Sequence, residues 1–211
     1  MQKYISKFHY LTQNLQNKTH LDQVQDACEA GANWIQYRCL NKNNEELIYE
    51  INQLALICDD WGTTLILTEH YNLVHQVDAQ GIHLEDPCAD FKLIRREIGD
   101  EKTLGASANS FQDIQRIAAS GVVDYIGCGP FSTTLTKPNN HPLIGINGYQ
   151  IIAEQMDKAG IKIPVLAVGG IGLDDVDALV KTGIYGIAAC SAINTAENPK
   201  AALKSFYKKT H

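Results

Sequence analysis

Two hydrophobic patterns alternate along this chain. Short, nearly continuous apolar runs such as 64–67 and 163–168 are typical of parallel strands buried on both faces. Between them, apolar residues recur at i, i+3, i+4 spacing, as in Leu47, Ile51 and Leu54, which predicts amphipathic helices. Each helical segment ends at a glycine, the residue that tolerates the left-handed turn past a helix C-terminus. These glycines are Gly31, Gly62, Gly99, Gly121, Gly160 and Gly183.

The order of these patterns predicts eight strand–helix units in one domain. The predicted strands are 8–12, 34–37, 64–67, 81–84, 103–107, 122–126, 163–168 and 184–189. Later helices are indicated by Ile114, Ile117 and Ala118, and by Val176, Leu179 and Val180. Alternating β and α allows an open doubly wound sheet or a closed barrel, and roughly 26 residues per unit favours the barrel. We therefore expect an α/β protein, a single compact (β/α)₈ TIM barrel over residues 1–211.

Composition narrows the classes of function. The chain has 18 Lys and Arg against 24 Asp and Glu, a net charge of −6, which argues against a basic nucleic-acid-binding face. No run approaches the ~20 apolar residues of a membrane span, and residues 1–10 lack a signal-peptide layout. We expect a soluble, cytoplasmic protein that binds neither nucleic acid nor membrane. The six cysteines stand singly and are interpreted as small buried hydrophobes.

Glycines and hydroxyl groups follow the last predicted strands, where a barrel of this type carries its function. Gly169 and Gly170 end the seventh strand, and Cys190 and Ser191 follow the eighth. Glycines let backbone N–H groups approach a phosphate, and a serine that opens a helix adds donors at the positive end of its dipole. A phosphate site is predicted here, and a glycine pair that only makes a tight turn is the alternative.

Two further clusters suit an anionic ligand. The loop after the sixth strand carries Thr134, Thr136 and Lys137, whose hydroxyls and ammonium could cover such a ligand, although hydroxyl-rich loops are often only solvated. Gln36 and Arg38 point to the same side of the second strand. An arginine inside a barrel is costly without an anion, so ligand binding is favoured over an exterior ion pair.

Residues after the third, fourth and fifth strands give weaker indications. Ser107 could bind a ligand or simply cap the next helix. Glu69, Glu85 and Asp86 could serve a divalent cation, because Mg²⁺ takes one or two carboxylates together with substrate phosphates. His83 is interpreted as a hydrogen-bonded core histidine.

These elements together resemble the thiamine phosphate synthase family and its relative, the thiazole tautomerase. The resemblance covers nearly the whole chain and includes the element G-P-x-x-x-T-x-T-K from Gly129 to Lys137. The other elements are Gln36-Tyr37-Arg38, Gly81-Ile82-His83-Leu84, Leu104-Gly105-Ala106-Ser107-Ala108, Val168-Gly169-Gly170-Ile171 and Ser191-Ala192-Ile193.

The resemblance implies a (β/α)₈ enzyme that joins hydroxymethylpyrimidine diphosphate to thiazole phosphate, with Mg²⁺ as cofactor and a homodimer as the assembly. It implies that Gln36, Arg38, Ser107 and Lys137 hold the pyrimidine diphosphate, with Arg38, Ser107 and Lys137 catalytic. It also implies that Thr134, Thr136, Gly170, Cys190 and Ser191 meet the thiazole phosphate. Thr68 would contact substrate, and Glu69 and Asp86 would bind the metal.

The sequence departs from the family pattern around the diphosphate. Leu40 stands where the family has a lysine, Thr68-Glu69 replaces an Asn-Asp pair, and Cys88 replaces a metal-binding aspartate. Lys42, Asp86 and Asp90 are the candidate substitutes for the missing groups. The tautomerase pattern also lacks its histidine, because Asn109 occupies that position. A tautomerase-like enzyme and a non-catalytic barrel that binds thiazole phosphate or thiamine phosphate remain the alternatives.

Overall fold

Eight parallel strands close into a barrel within residues 3–133 and 141–211, the part of the chain that the computed structural model describes. The strands are β1 Phe8–Leu11, β2 Trp34–Tyr37, β3 Thr64–Thr68, β4 Gly81–Leu84, β5 Thr103–Ala108, β6 Tyr125–Cys128, β7 Val165–Val168 and β8 Gly186–Ala189. Each strand pairs with the next, and β1 pairs with β8 through Phe8 opposite Ile187. The predicted (β/α)₈ barrel is confirmed, while its extent as one domain over 1–211 stays a prediction.

Helices follow the strands around the outside of the barrel. They are α1 His20–Glu29, α2 Asn44–Trp61, α3 Phe91–Ile98, α4 Phe111–Ser120, α5 Gly145–Ala159, α6 Val176–Val180, α7 Ser191–Asn194 and α8 Pro199–Thr210. Local signals set their ends: Asn43 and Glu46 form a capping box before α2, and Gly62 ends it with a φ of 63°. Within the described ranges, none of these helices combines the length and apolar character needed to cross a bilayer.

The structure corrects several details of the sequence prediction, including the starts of β7 and β8, which lie at Val165 and Gly186 rather than at positions 163 and 184. Strand β6 begins at Tyr125 rather than at position 122, because the carbonyl of Val122 is taken by the guanidinium of Arg95 instead of a strand neighbour. Val180 is 43% exposed, since the short α6 buries only Val176 and Leu179. Cys88 is exposed in the loop after β4, contrary to the expectation that every cysteine is buried.

Two hydrophobic layers hold the barrel together. The larger one lies between the strands and the helices, and the smaller one lies inside the barrel. The inner layer consists of Ile5, Trp34, Ile66, Tyr125 and Leu166. The Tyr125 ring crosses so close to β5 that a Cβ on Gly105 would lie 2.2 Å from the ring carbon Cζ. Glycine at 105 is therefore what allows a tyrosine to lie across the interior.

A buried arginine ties the strand-entry end of the barrel together, opposite the strand ends where function is expected. Arg95 is 7% exposed and donates to the carbonyls of Val122, Gly99 and Lys102. Its Nη2 also pairs with Asp124 at 2.7 Å, and Asp124 accepts from the backbone of β5 at Leu104. This end of the molecule serves stability.

Candidate active site

A cavity of about 510 Å³ opens at the carboxyl ends of the strands. It brings together six residues predicted from four separate strand ends: Gln36, Arg38, Ser107, Gly170, Cys190 and Ser191. Thr134, Thr136 and Lys137 lie outside the described residues. These six predicted groups therefore converge on one space although they are far apart in sequence, whereas Thr68, Glu69 and Asp86 do not line it.

Thr68 lies behind Gln36 and does not line the cavity. Its side chain is fully buried at the end of β3, and its hydroxyl accepts a hydrogen bond of 2.9 Å from Nε2 of Gln36. This bond fixes the carboxamide of Gln36, so its oxygen faces in a defined direction. The predicted direct contact of Thr68 with substrate stays a prediction.

Arg38 is paired with a carboxylate inside the mouth. Its Nε and Nη2 lie 2.8 Å and 3.2 Å from the two carboxylate oxygens of Glu85, a bidentate arrangement. The hydrogen bonds to Glu85 raise the pKa of Arg38 and outweigh the effect of its partial burial. Arg38 is the single Lys or Arg among the described residues that line the cavity. An anionic ligand of Arg38 must therefore compete with Glu85.

Lys42 does not take the place of the missing lysine at position 40. The Lys42 ammonium lies 2.7 Å from the carboxylate of Glu50 on α2. The side of the cavity where the family has a lysine is lined by Leu40. The wall that carries Gln36 and Arg38 thus contains one guanidinium and no lysine among the described lining residues.

A line of hydrogen bonds crosses the cavity wall through His83. Its Nδ1 lies 3.0 Å from the Tyr125 hydroxyl and its Nε2 lies 3.0 Å from Oγ of Ser107. His83 is buried and hydrogen-bonded as expected, but it also lines the cavity. Ser107 is consequently oriented by a histidine, which a helix-capping serine would not require.

Aromatic rings form the floor of the cavity. His9 stacks on Trp34 with 4.4 Å between ring centroids and meets the edge of Tyr125 at 4.9 Å. Burial, reinforced by the nearby His83, holds the pKa of His9 well below its usual range, so its ring is neutral. The floor offers flat, uncharged surfaces that suit a heteroaromatic ring.

The wall of the cavity formed by the ends of β7 and β8 presents backbone and hydroxyl groups. Gly169 and Gly170 have φ values of 93° and 72°, and a Cβ on Gly170 would lie 2.4 Å from Oγ of Ser132. Ser132 donates to the Gly170 carbonyl at 2.6 Å and so fixes this turn against the loop after β6. Without side chains, the two glycines present backbone to the cavity, as a phosphate site requires. Burial raises the pKa of the adjacent Cys190 thiol to about 12, so it is not a thiolate.

The sequence analysis missed several residues of the site. Gln13 and Asn14, in the loop after β1, line the cavity, as do His9 and Tyr125 deeper inside. Strand alternation places His9 on the face of Leu11 and Tyr125 on the face of Gly127, and both of these neighbours line the cavity. Gln13 and Asn14 gave no comparable signal, since polar loop residues are usually solvated.

The acidic residues lie at the edge of the cavity. Glu69 follows β3 with a φ of 68°, unusual for a residue with a side chain, and its Oε1 accepts a hydrogen bond of 2.5 Å from the backbone of Glu85. Such strain is often found at functional positions. Asp86 accepts from the backbone of Cys88 at 2.8 Å, and Asp90 caps α3. In residues 3–133 and 141–211, no group of three or more His, Cys, Asp or Glu could hold a metal ion by itself.

The carboxylates nevertheless suit a metal that is shared with a ligand. Mg²⁺ prefers oxygen donors and is commonly bound by one or two carboxylates together with substrate phosphates. Glu69 and Glu85 are neighbours at adjacent strand ends, and Glu85 lines the cavity. The donor chemistry fits a cation that arrives with a phosphorylated substrate. The assignment of Glu69 and Asp86 as ligands stays a prediction.

Fold and site together define a (β/α)₈ barrel enzyme for small phosphorylated substrates. The family model described as thiamine monophosphate synthase matches residues 9–193. The chain belongs to this family, as its sequence features predicted. The fold, the type of enzyme and the family thus agree with the expectations from sequence.

Individual relatives span almost the whole chain. The chain is 36% identical over 195 residues to a thiamine-phosphate synthase from Phocaeicola vulgatus, which covers 92% of this chain and 93% of that protein. It is 33% identical to one from Flavobacterium johnsoniae, with 98% and 97% covered. A solved structure of thiamine phosphate pyrophosphorylase from Pyrococcus furiosus superposes with a TM-score of 0.83 at 28% identity, covering 97% and 95%.

Proposed function

We propose that this chain condenses hydroxymethylpyrimidine diphosphate with thiazole phosphate to give thiamine phosphate and pyrophosphate. The observation that carries this proposal is the single cavity that holds Gln36, Arg38 and Ser107 on one wall and Gly170 and Ser191 on the other. One wall offers a guanidinium and the other offers backbone and hydroxyl groups. A site with two different anion-binding walls suits a reaction of two phosphorylated substrates.

In this reaction the bond between the pyrimidine methylene carbon and the diphosphate oxygen breaks, and its electron pair leaves with pyrophosphate. A pyrimidine cation remains, and the lone pair of the thiazole nitrogen forms the new carbon–nitrogen bond. Arg38 stabilises the charge that develops on the leaving group, and Ser107, oriented by His83, donates a hydrogen bond to it. Lys137 is assigned the same task by its place in the family motif.

The pyrimidine ring lies deepest in this proposal. The floor formed by His9, which stacks on Trp34, and Tyr125 is aromatic and uncharged, and Gln36 of the same cavity is hydrogen-bonded to Thr68. A carboxamide can donate to one ring substituent and accept from another. The thiazole phosphate is assigned to Gly170, Cys190 and Ser191, with Thr134 and Thr136.

Mg²⁺ is the proposed cofactor, with Glu69 and Asp86 as its assigned ligands. When bound, the metal neutralises diphosphate charge and makes pyrophosphate a better leaving group. Glu85 lines the cavity next to Glu69 and is paired with Arg38. When a diphosphate binds Arg38, the Glu85 carboxylate is released and can turn to the metal.

The position and bonding of Asn109 argue against tautomerase activity. Its Nδ2 donates to the carbonyl of Gly129 at 2.7 Å, and its backbone is held by Asp113. A carboxamide does not titrate, so it cannot shuttle the proton that tautomerisation moves. A binding-only barrel is distinguished by the assay below.

We also propose a cytoplasmic, homodimeric protein that acts on small molecules and binds neither nucleic acid nor membrane. Two features support this: a net charge of −6 and the absence, in the described part of the chain, of a helix able to span a bilayer. Size-exclusion chromatography with light scattering tests the dimer.

The experiment that tests the function is a direct synthesis assay. Purified protein is incubated with both substrates and Mg²⁺, and thiamine phosphate is quantified after oxidation to its fluorescent thiochrome. We expect product that depends on enzyme, both substrates and metal, and that falls sharply in Arg38→Met. Binding of thiazole phosphate by calorimetry without any product would instead identify a binding-only barrel.

A further inference from the structure

One histidine outside the cavity is hydrogen-bonded to two residues of its wall, Thr12 and Asn14. His20 is the first residue of α1 and is 5% exposed. Its Nδ1 lies 2.9 Å from Oγ1 of Thr12, and its Nε2 lies 2.8 Å from Oδ1 of Asn14. Both partners line the cavity, whereas His20 stands behind them.

The direction of these hydrogen bonds follows from their ends. The amide N–H of Arg38 donates to Oγ1 of Thr12 at 3.1 Å. At the far end, Nδ2 of Asn14 donates to Asn41 at 3.1 Å, which leaves Oδ1 of Asn14 as the acceptor for His20. His20 thus carries its proton on Nε2, and its Nδ1 accepts from the Thr12 hydroxyl. The neutral ring satisfies every group in the chain.

The residue between Thr12 and Asn14 is fixed from the same helix. Gln23 of α1 accepts from the backbone N–H of Gln13 at 3.0 Å and donates to its carbonyl at 2.8 Å. The free end of Gln13 accepts a hydrogen bond of 3.0 Å from Sγ of Cys190. The loop of residues 12–14 therefore connects Arg38 on one wall with Cys190 on the other.

We propose that His20 is a positioning residue that fixes Arg38 for the diphosphate through Thr12. The inference rests on the proposed function, because it assigns a purpose to the orientation of Arg38. Thr12 is well suited to transmit this constraint, since its own N–H also donates to the carbonyl of Gln36 at 3.0 Å. The backbones of both strand-2 residues assigned to the pyrimidine substrate, Gln36 and Arg38, are thus attached to one threonine.

Packing accounts for the placement of the histidine ring itself. His20 meets the Tyr37 ring edge-on at 4.9 Å, and the Tyr37 hydroxyl is bonded to Glu50, which pairs with Lys42. Burial lowers the pKa of His20, in keeping with the neutral ring that the hydrogen bonds require. Phenylalanine can keep the ring contact while removing both hydrogen bonds, which makes it the sharpest substitution.

The test has two parts. Calorimetry measures the binding of inorganic pyrophosphate, which serves as a probe of Arg38, and the synthesis assay measures the KM of each substrate. In His20→Phe we expect the pyrophosphate Kd and the KM for the pyrimidine diphosphate to rise about tenfold, with the KM for thiazole phosphate little changed. His20→Asn, which retains a partner for Thr12, should stay within about threefold of wild type. The surface variant His75→Phe serves as the control.

Two further measurements test the tautomer of His20 and the role of Thr12. Nitrogen-15 spectra of the histidine rings should show His20 as the neutral Nε2–H tautomer, and Thr12→Val should reproduce His20→Phe without adding to it in the double variant. A charged or Nδ1–H ring at neutral pH, or unchanged pyrophosphate binding in folded His20→Phe and Thr12→Val, would overturn the proposal. If the wild type makes no thiamine phosphate, the proposed function fails while the pyrophosphate titration still tests the role of His20.

Discussion

The pair of Arg38 and Glu85 gives the sharpest prediction about ligand binding. Both side chains are partly buried, 25% and 20% exposed, and they are joined by two hydrogen bonds. A phosphate that binds Arg38 must displace this carboxylate or accept its repulsion. Glu85→Gln keeps the shape of the side chain and removes the negative charge, so it should strengthen metal-free binding of an anion.

The size of the effect follows from the geometry. A hydrogen bond to a charged group contributes about 1.5–3 kcal/mol, and partial exposure reduces it toward the ~0–1 kcal/mol of surface pairs. We take about 1–2 kcal/mol as the cost of releasing Arg38, which corresponds to roughly a 5- to 30-fold change in Kd. The change should shrink as salt rises, because part of it is electrostatic.

Calorimetric titration with inorganic pyrophosphate, in chelator and at low salt, measures this effect. We expect Glu85→Gln to bind several-fold more tightly than wild type. Glu97→Gln, on the exposed side of α3, changes the net charge equally and should leave the Kd unaltered. Equal or weaker binding by Glu85→Gln would show that Glu85 does not compete for Arg38, and the reasoning would be refuted.

Two further predictions concern the metal and the stability of the barrel. Glu69→Gln should raise the Mg²⁺ concentration for half-maximal synthesis at least about tenfold, while Cys88→Ser should not, and similar responses would place the metal elsewhere. Arg95→Met removes one partner of Asp124 and leaves buried carbonyls unpaired, so it should lower the free energy of unfolding by about 3–5 kcal/mol in urea titrations. Arg96→Met, on the exposed face of the same helix, should change it little, and a loss equal to that of Arg95→Met would contradict the assignment.

Most of the barrel was predictable because its signals are local. A helix that ends at Gly62 or Gly160 shows both its own period and the left-handed residue that terminates it. Strand β6 was misplaced because Val122 belongs to an apolar run, yet its carbonyl is used by Arg95 from another helix. Such a contact depends on the tertiary structure and leaves no trace in the run itself.

The site was predictable where chemistry and strand position coincide. Gln36, Arg38 and Ser107 were found because strand ends converge in a barrel, whatever their distance in sequence. The ion pair between Arg38 and Glu85 was not predicted, because the position of Glu85 in the sequence is equally consistent with a metal ligand. His20 was missed because it lies behind the cavity wall, where its role depends on Thr12 and Asn14, two neighbours that only the folded chain brings into contact with it.

The aromatic floor also imposes an order of events. In the described residues, the rings of His9 and Tyr125 lie at the inner end of the cavity, and its mouth lies at the carboxyl ends of the strands. A molecule that rests on the floor must enter before one that rests in the mouth, and it cannot leave past an occupied mouth. The proposed placement of the heteroaromatic diphosphate on the floor therefore predicts ordered binding and inhibition by an excess of the second substrate.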